Sequence, residues 1–440
     1  MTSRARRPLF RGRLLRVACA ALLASASASA TPPDGATSCR SQLLSDLGWR
    51  FQSAAVDAIE IHGGTPCDRA SLDEAHAAGD LVVRMPVDLD AVARDRMMKS
   101  LMLHPATRCA YGFALGDATR RAADRLAGND GFRFTALQTG WIGFGAGGAA
   151  RDGWQPIAWF GRGYIPRGRN SEAIAGFYDG SIRAECGVGR QIAQYAAQAE
   201  LYGMAAFDEA FDADEIVIGT FMRIRPTRSI LLGSSAGTYA RDGRAVAASA
   251  LGRQAFMGVP GFIFHVLDES TLDDINNQAE NFVVYDVSAE AAAALREHAG
   301  FEHYNRVNHD AWLLARQIVA AVPAPRPYRY FERLLYERDP TLRAALPDNA
   351  KVAVAQLDAL LDEPFYRGFR VYVHRQGIKP VAFHIVRLFD RNPRTPFRIE
   401  LGLHNVYTTL YDRYLAYRLD DCERGRLAAR PLTKRDAAAR

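Results

Sequence analysis

The sequence predicts an α+β protein built around a cysteine-bearing helix packed on an antiparallel sheet of short strands, with further α+β regions on both flanks. The first observation behind this is the stretch Gly180 to Gly203. There a tight, glycine-flanked loop delivers Cys186 to a segment where Ile192, Tyr195, Ala196, Ala199 and Tyr202 recur at i, i+3, i+4 spacing, in an Ala- and Gln-rich body that Gly203 stops. The second is a succession of short apolar runs rich in Val, Ile and Phe, which read as strands: Glu215 to Arg223, Ser229 to Leu232, Gly261 to Val266 and Asn281 to Asp286. The third is the texture of residues 36–150 and 326–440, where strand-like runs such as Leu81 to Met85 are mixed with polar helical segments near 88–103 and 115–127.

A thiol at a helix start meets unpaired backbone N–H groups and the positive end of the macrodipole, which favour thiolate, the form that attacks carbonyls. Arg183 and Arg190 add positive charge nearby. The plainer role for such a residue is that of a small buried apolar side chain. The cysteine count separates the two. Residues 1–30 carry six arginines and no acid, then the apolar run Val17 to Leu23 and an Ala-Ser repeat, the make-up of an export signal cut after Ala30. Arg6-Arg7 followed by Phe10 is compatible with a twin-arginine signal. Beyond the signal stand Cys39, Cys67, Cys109, Cys186 and Cys422. In an oxidising compartment an odd count leaves a thiol over, and the helix-start setting marks Cys186 as that thiol.

The formal charge of +6 also belongs to the signal, because without its six arginines the remaining 49 Lys+Arg match 49 Asp+Glu. The mature chain therefore has no basic surplus for nucleic acid, and no apolar run is long enough for a membrane span. Gly143 to Gly148 has the spacing of a dinucleotide loop but no helix follows, so a connection is expected there and no cofactor. His374, His384 and His404 sit in or beside strand-like runs, Phe369 to His374 and Pro380 to Arg387, without a carboxylate or cysteine at metal-ligand spacing. No metal is expected. The prolines at 323–327 mark a boundary, which divides the chain into a signal (1–30), an N-terminal α+β region (31–150), a catalytic core (151–325) and a C-terminal accessory region (326–440).

A helix carrying the thiol, followed by strands that present a histidine and its partner, is the layout of papain-like cysteine enzymes. Within that layout, Ser171-Glu172-Ala173-Ile174, Phe177-Tyr178, Gly180, Glu185-Cys186, Ile192, Tyr195 and Phe207 to Phe211 resemble the nucleophile region of the bacterial spore-coat type protein-glutamine gamma-glutamyltransferases. Val259 to Phe264 and Ala279 to Val284 resemble two strands of that family, the second carrying a catalytic glutamate at Glu280. The resemblance covers about residues 155–305. It implies an NlpC-like core and calcium-independent acyl transfer from a protein glutamine to a primary amine, through a thioester on Cys186. It also implies protein substrates and a catalytic histidine, for which Gly300-Phe301-Glu302-His303 is the nearest equivalent and His298 the second. Cys186 as nucleophile, His303 as base and Glu280 as its orienting carboxylate satisfy the chemistry of attack on a carboxamide. Water in place of the amine would make the same core a glutamine deamidase or cysteine amidase.

Gly233-Ser234-Ser235-Ala236-Gly237 after Ser229 to Leu232 also fits the nucleophile elbow of serine hydrolases, with Asp268 or Asp273 and a histidine among 298, 303 and 309 as partners. Arg241 to Arg244 interrupts the helix that an elbow requires. A secreted, non-catalytic interaction protein on the same scaffold is the third expectation, and it would bury Cys186 away from any imidazole. The aromatic run Trp154, Trp159, Phe160 and Tyr164 is the candidate wall of an amine channel.

Overall fold

The computed structural model describes residues 34–63, 81–134, 145–147, 152–156, 163–184, 186–219, 229–231, 256–266, 278–298, 300–322, 328–373, 377–391, 398–403 and 408–429. It is a mixed α+β structure with several small sheets, as the sequence predicts. The chain opens with α1 (Asp34–Asp46), β1 (Arg50–Ala54), β2 (Glu60–His62), β3 (Val82–Pro86), α2 (Ala91–Met102) and α3 (Pro105–Ala127). Strand β3 lies between β1, which is parallel to it, and β2, which is antiparallel. Local chemistry sets both helix starts. The Asp90 carboxylate accepts the Ala93 N–H at 2.8 Å, and Pro105 stands where a missing N–H costs nothing, with His104 Nδ1 accepting from Ala106.

Next come β4 (Phe132–Phe134), β5 (Gly145–Gly147), β6 (Trp154–Pro156), β7 (Gly163–Pro166), α4 (Asn170–Asp179), β8 (Ser181–Ala184), α5 (Cys186–Tyr202), α6 (Met204–Ala210) and β9 (Ile218–Gly219). Two three-stranded sheets result, β4-β8-β5 and β6-β7-β9. Gly145–Gly147 is thus a strand paired with β8, where the sequence suggested a connection. Residues 229–231 form a turn and not a strand, fixed to α5 because the Tyr195 hydroxyl accepts the Val217 N–H and lies 3.0 Å from Ser229 Oγ.

The longer helices and the strands that follow are β10 (Pro260–Val266), β11 (Gln278–Val287), α7 (Ala289–Glu297), α8 (Glu302–Ala321), α9 (Asp348–Leu361), β12 (Phe369–Tyr372), β13 (Ile378–Pro380), α10 (Val381–Arg391), β14 (Arg398–Leu403) and α11 (Thr408–Ala429). Five strands form one antiparallel sheet in the order β13-β12-β11-β10-β14. Side-chain alternation gives it two apolar faces. Val283 and Tyr372 pack with Val188, Ile192 and Tyr195 of α5, while Phe282, Val284, Val371, Ile263 and Leu401 pack with Tyr304, Ala311 and Trp312 of α8. The sheet is therefore sandwiched between a helical layer containing α5 and another containing α8. Each fully buried apolar side chain in these layers contributes about 1.5–3 kcal/mol.

Two expectations are corrected here. The boundary at 325/326 cuts this sheet, since β12, β13 and β14 come from the supposed accessory region. That region also closes the N-terminal unit: Tyr411, Tyr414 and Leu415 of α11 join the core of Leu44, Trp49 and Leu101, and Cys39 and Cys422 form a disulfide across 383 residues. The second correction concerns Pro380 to Arg387, where the structure has α10 instead of a strand. Its residues 381–387 are all buried, and His384, Arg387 and Arg391 recur at i, i+3, i+7, a helical spacing set in an otherwise apolar run.

Candidate active site

Helix α5 begins at Cys186 itself. Strand β8 ends at Ala184, two residues before it, anchored by the pairing of Ile182 between Phe132 and Ala146. Gly203, at φ +82°, ends the helix in a conformation that suits glycine. Between them residues 187–199 are buried on every side, including the polar Arg190, Gln191, Gln194 and Gln198. The apolar stripe at i, i+3, i+4 spacing thus marks only part of a helix that is wholly interior.

Cys186 is half-buried and lies outside any disulfide, whereas Cys39 and Cys422 are joined and Cys109 is also disulfide-bonded. Cys67 falls outside the described residues. The sulfur receives a hydrogen bond from Asn281 Nδ2 at 3.4 Å. Asn281 is buried in β11, on the face that α5 covers. An amide donor beside the sulfur and the positive end of α5 beneath it both favour negative charge at this point.

The neighbouring Glu280 is buried too, but alternation along β11 turns it to the opposite face. Its cross-strand partner is Ile263, which belongs to the α8 layer, whereas Asn281 pairs with Phe262. His303 is the second residue of α8 and sits in that same distal layer. Its ring stacks on His298 with centroids 3.8 Å apart and meets Tyr304 edge-on. Burial, and then the neighbouring His298, push the His303 pKa below its ordinary value, and the carboxylates that oppose this are Glu363 and Glu297, not Glu280. The structure does not bring Cys186, Glu280 and His303 to one point. Among the described residues it places Asn281 beside the thiol, and the signal for it was available in the period-2 alternation of residues 280–284, where Asn281 and Val283 share a face.

One turn beyond Cys186, Arg190 is only 4% exposed. Its sole polar contact among the described residues is from Nη1 to Gln194 Oε1 at 3.5 Å, and its Nε has no hydrogen-bond partner. Nearer the surface, Arg133 of β4 and Arg183 of β8 stand directly opposite each other and both are exposed.

Of the aromatic run, Trp154 is core: its Nε1 donates to the Ala173 carbonyl at 3.0 Å and its ring stacks on Phe177. Tyr164 is half-buried in β7, and Trp159 and Phe160 lie outside the described residues. So do Ser235, Asp268, Asp273, His374 and His404. His384 is fully buried within α10. Among the described residues there is no cluster of three His, Cys, Asp or Glu able to hold a metal ion, and no helix is long and apolar enough to cross a membrane. No family model matches the chain, and neither a curated protein nor a solved structure matches it.

Proposed function

We propose that the protein is an exported cysteine-nucleophile acyltransferase with a papain-like core. Its reaction is the calcium-independent one implied by its nucleophile region, transfer of a protein glutamine's γ-acyl group to a primary amine. The observation that carries this proposal is the Asn281 Nδ2 donor 3.4 Å from a half-buried thiol at the first residue of a helix. Such a donor does more than hold the sulfur. When Cys186 attacks the carboxamide carbon, the carbonyl oxygen becomes an oxyanion one bond beyond the new C–S bond, within reach of the same amide N–H. Collapse of that intermediate breaks the C–N bond as the proton given up by the thiol reaches the departing nitrogen through solvent, so that ammonia leaves and a thioester remains. The amine then attacks the thioester carbon, forms the new amide bond and returns the sulfur as thiol.

Asn281 thus serves as oxyanion donor, Cys186 as nucleophile, and the macrodipole of α5 as a fixed positive potential. His303 and Glu280, in the other layer of the sandwich, take structural roles in this scheme. The test is incorporation of a labelled primary amine into a glutamine-containing protein, with release of ammonia. Wild-type protein should incorporate the amine and Cys186→Ser should not. Ammonia release without incorporation would make the enzyme a deamidase. Ester hydrolysis that survives Cys186→Ser and vanishes in Ser235→Ala would move the chemistry to the serine elbow. An intact fold with none of these activities would favour a binding protein on the same scaffold.

A further inference from the structure

We infer that the site at Cys186 binds an acyl donor bearing a carboxylate, and that Arg190 is the residue that receives it. This inference deepens the function proposed above and rests on Cys186 being the nucleophile. Arg190 follows Cys186 by four residues in α5, so the two side chains share a face, and helical side chains lean over the turn on their N-terminal side. Arg190 as a residue is 4% exposed, yet no carboxylate among the described residues approaches its guanidinium, which makes a single long hydrogen bond to a neutral amide while its Nε is buried without a partner. A buried charge without a partner costs several kcal/mol, so folded proteins keep one where a ligand completes it. Arginine is always protonated and offers a planar fork of five N–H donors, of which Nη1 alone is engaged here. A planar carboxylate matches that fork bidentately.

The approach to the site has the same character. Arg133 and Arg183 are cross-strand neighbours, a repulsive pairing of like charges, and neither has an ion-pair partner among the described residues. Phe132 and Ile182 on the same two strands point into the core, so the two guanidiniums project outward, with Arg183 three residues ahead of Cys186 along the chain. An anionic donor relieves that repulsion on arrival and completes Arg190 once bound. The carboxylate has two possible sources, an acidic side chain next to the reactive glutamine or a free chain terminus.

The test uses alkylation of Cys186 and needs no transferase activity. Iodoacetate carries a carboxylate and iodoacetamide its neutral isostere, so the ratio of their second-order rates, referred to the same ratio for a cysteine peptide, reports anion recognition at the thiol. Wild-type protein should show a ratio at least tenfold above the peptide, and Arg190→Gln should bring it down to the peptide value. A wild-type ratio equal to that of the peptide would overturn the inference whether or not the variant folds. An unchanged ratio in folded Arg190→Gln would overturn it as well. Arg190→Lys, which keeps the charge and loses the fork, should give an intermediate ratio. Amine incorporation then locates the source, using glutamine peptides with Asp or Asn beside the glutamine and with free or amidated C-termini. The preferred carboxylate identifies it, and equal rates for all four peptides would refute the proposed donor. If amine incorporation is absent while the iodoacetate preference persists, the transferase proposal fails and the anion site stands.

Discussion

The role of Asn281 can be isolated by Asn281→Leu, which keeps the volume of the side chain and removes its donor. The magnitude follows from the position of the amide. A group 3.4 Å from the sulfur can lie about 2.7–3.1 Å from an oxyanion on the carbon that the sulfur has attacked, the distance at which such donors act. Loss of one oxyanion donor costs about 10²–10³ in kcat, equivalent to about 2.7–4 kcal/mol of transition-state stabilisation. The cost to the fold is smaller, about 0.5–1.5 kcal/mol for one hydrogen bond. The assay is ammonia release under saturating donor, run beside iodoacetamide alkylation of Cys186 and a denaturation curve. We expect kcat to fall at least a hundredfold, KM to change little, and alkylation to slow by less than tenfold. The reasoning would be refuted by a folded Asn281→Leu whose kcat stays within threefold of wild type. Equal losses in kcat and alkylation rate would also refute it, because the amide would then act only on the resting thiol. Glu280→Gln is the matched control: facing the other layer, it should leave kcat within threefold of wild type.

Three further outcomes follow from the fold. Replacing both Cys39 and Cys422 by serine should destabilise the protein by about 3–5 kcal/mol, near the top of the usual range because the bridged residues are 383 apart, and calorimetry that gives the same curve for the double variant and wild type would contradict this. Gly261→Ala should cost about 1–3 kcal/mol by overpacking, since an added Cβ would lie 2.3 Å from the Phe282 ring and 2.8 Å from the Gly402 carbonyl; a denaturation midpoint that does not move would show that the strand pair yields. The stacked His298–His303 pair should make stability fall on acidification. The folded-state pKa of His303 lies below its ordinary 6.5, so the unfolded chain binds its proton first and stability drops as pH falls from about 6.5 toward the lower folded value. His303→Gln should flatten that slope in melting curves taken between about pH 7 and pH 5, and an unaltered slope would assign it elsewhere.

What the sequence by itself determined is local in origin. The helix that opens on Cys186 and stops at Gly203 and the strands over 261–266 and 281–286 follow from spacings and end signals within one element. The tertiary structure decided everything that depends on which element meets which. Residues 381–387 read as a strand because the apolar run with β-branched Val381, Ile385 and Val386 hid the i, i+3, i+7 spacing of His384, Arg387 and Arg391, which belongs to α10. Residues 369–403 read as a separate region, yet their strands pair with β10 and β11, and no local pattern encodes a strand partner more than eighty residues away. Glu280 and Asn281 are adjacent in sequence, and a strand must send them to opposite faces; only the packing of α5 on one face decided that the amide, and not the carboxylate, reaches the thiol. Arg190 shows the same limit. Its position one turn beyond Cys186 is plain from the chain, but its burial without a counter-ion arises from the enclosure of α5 by surrounding elements, because desolvation is a property of the whole fold and not of the segment that carries the charge.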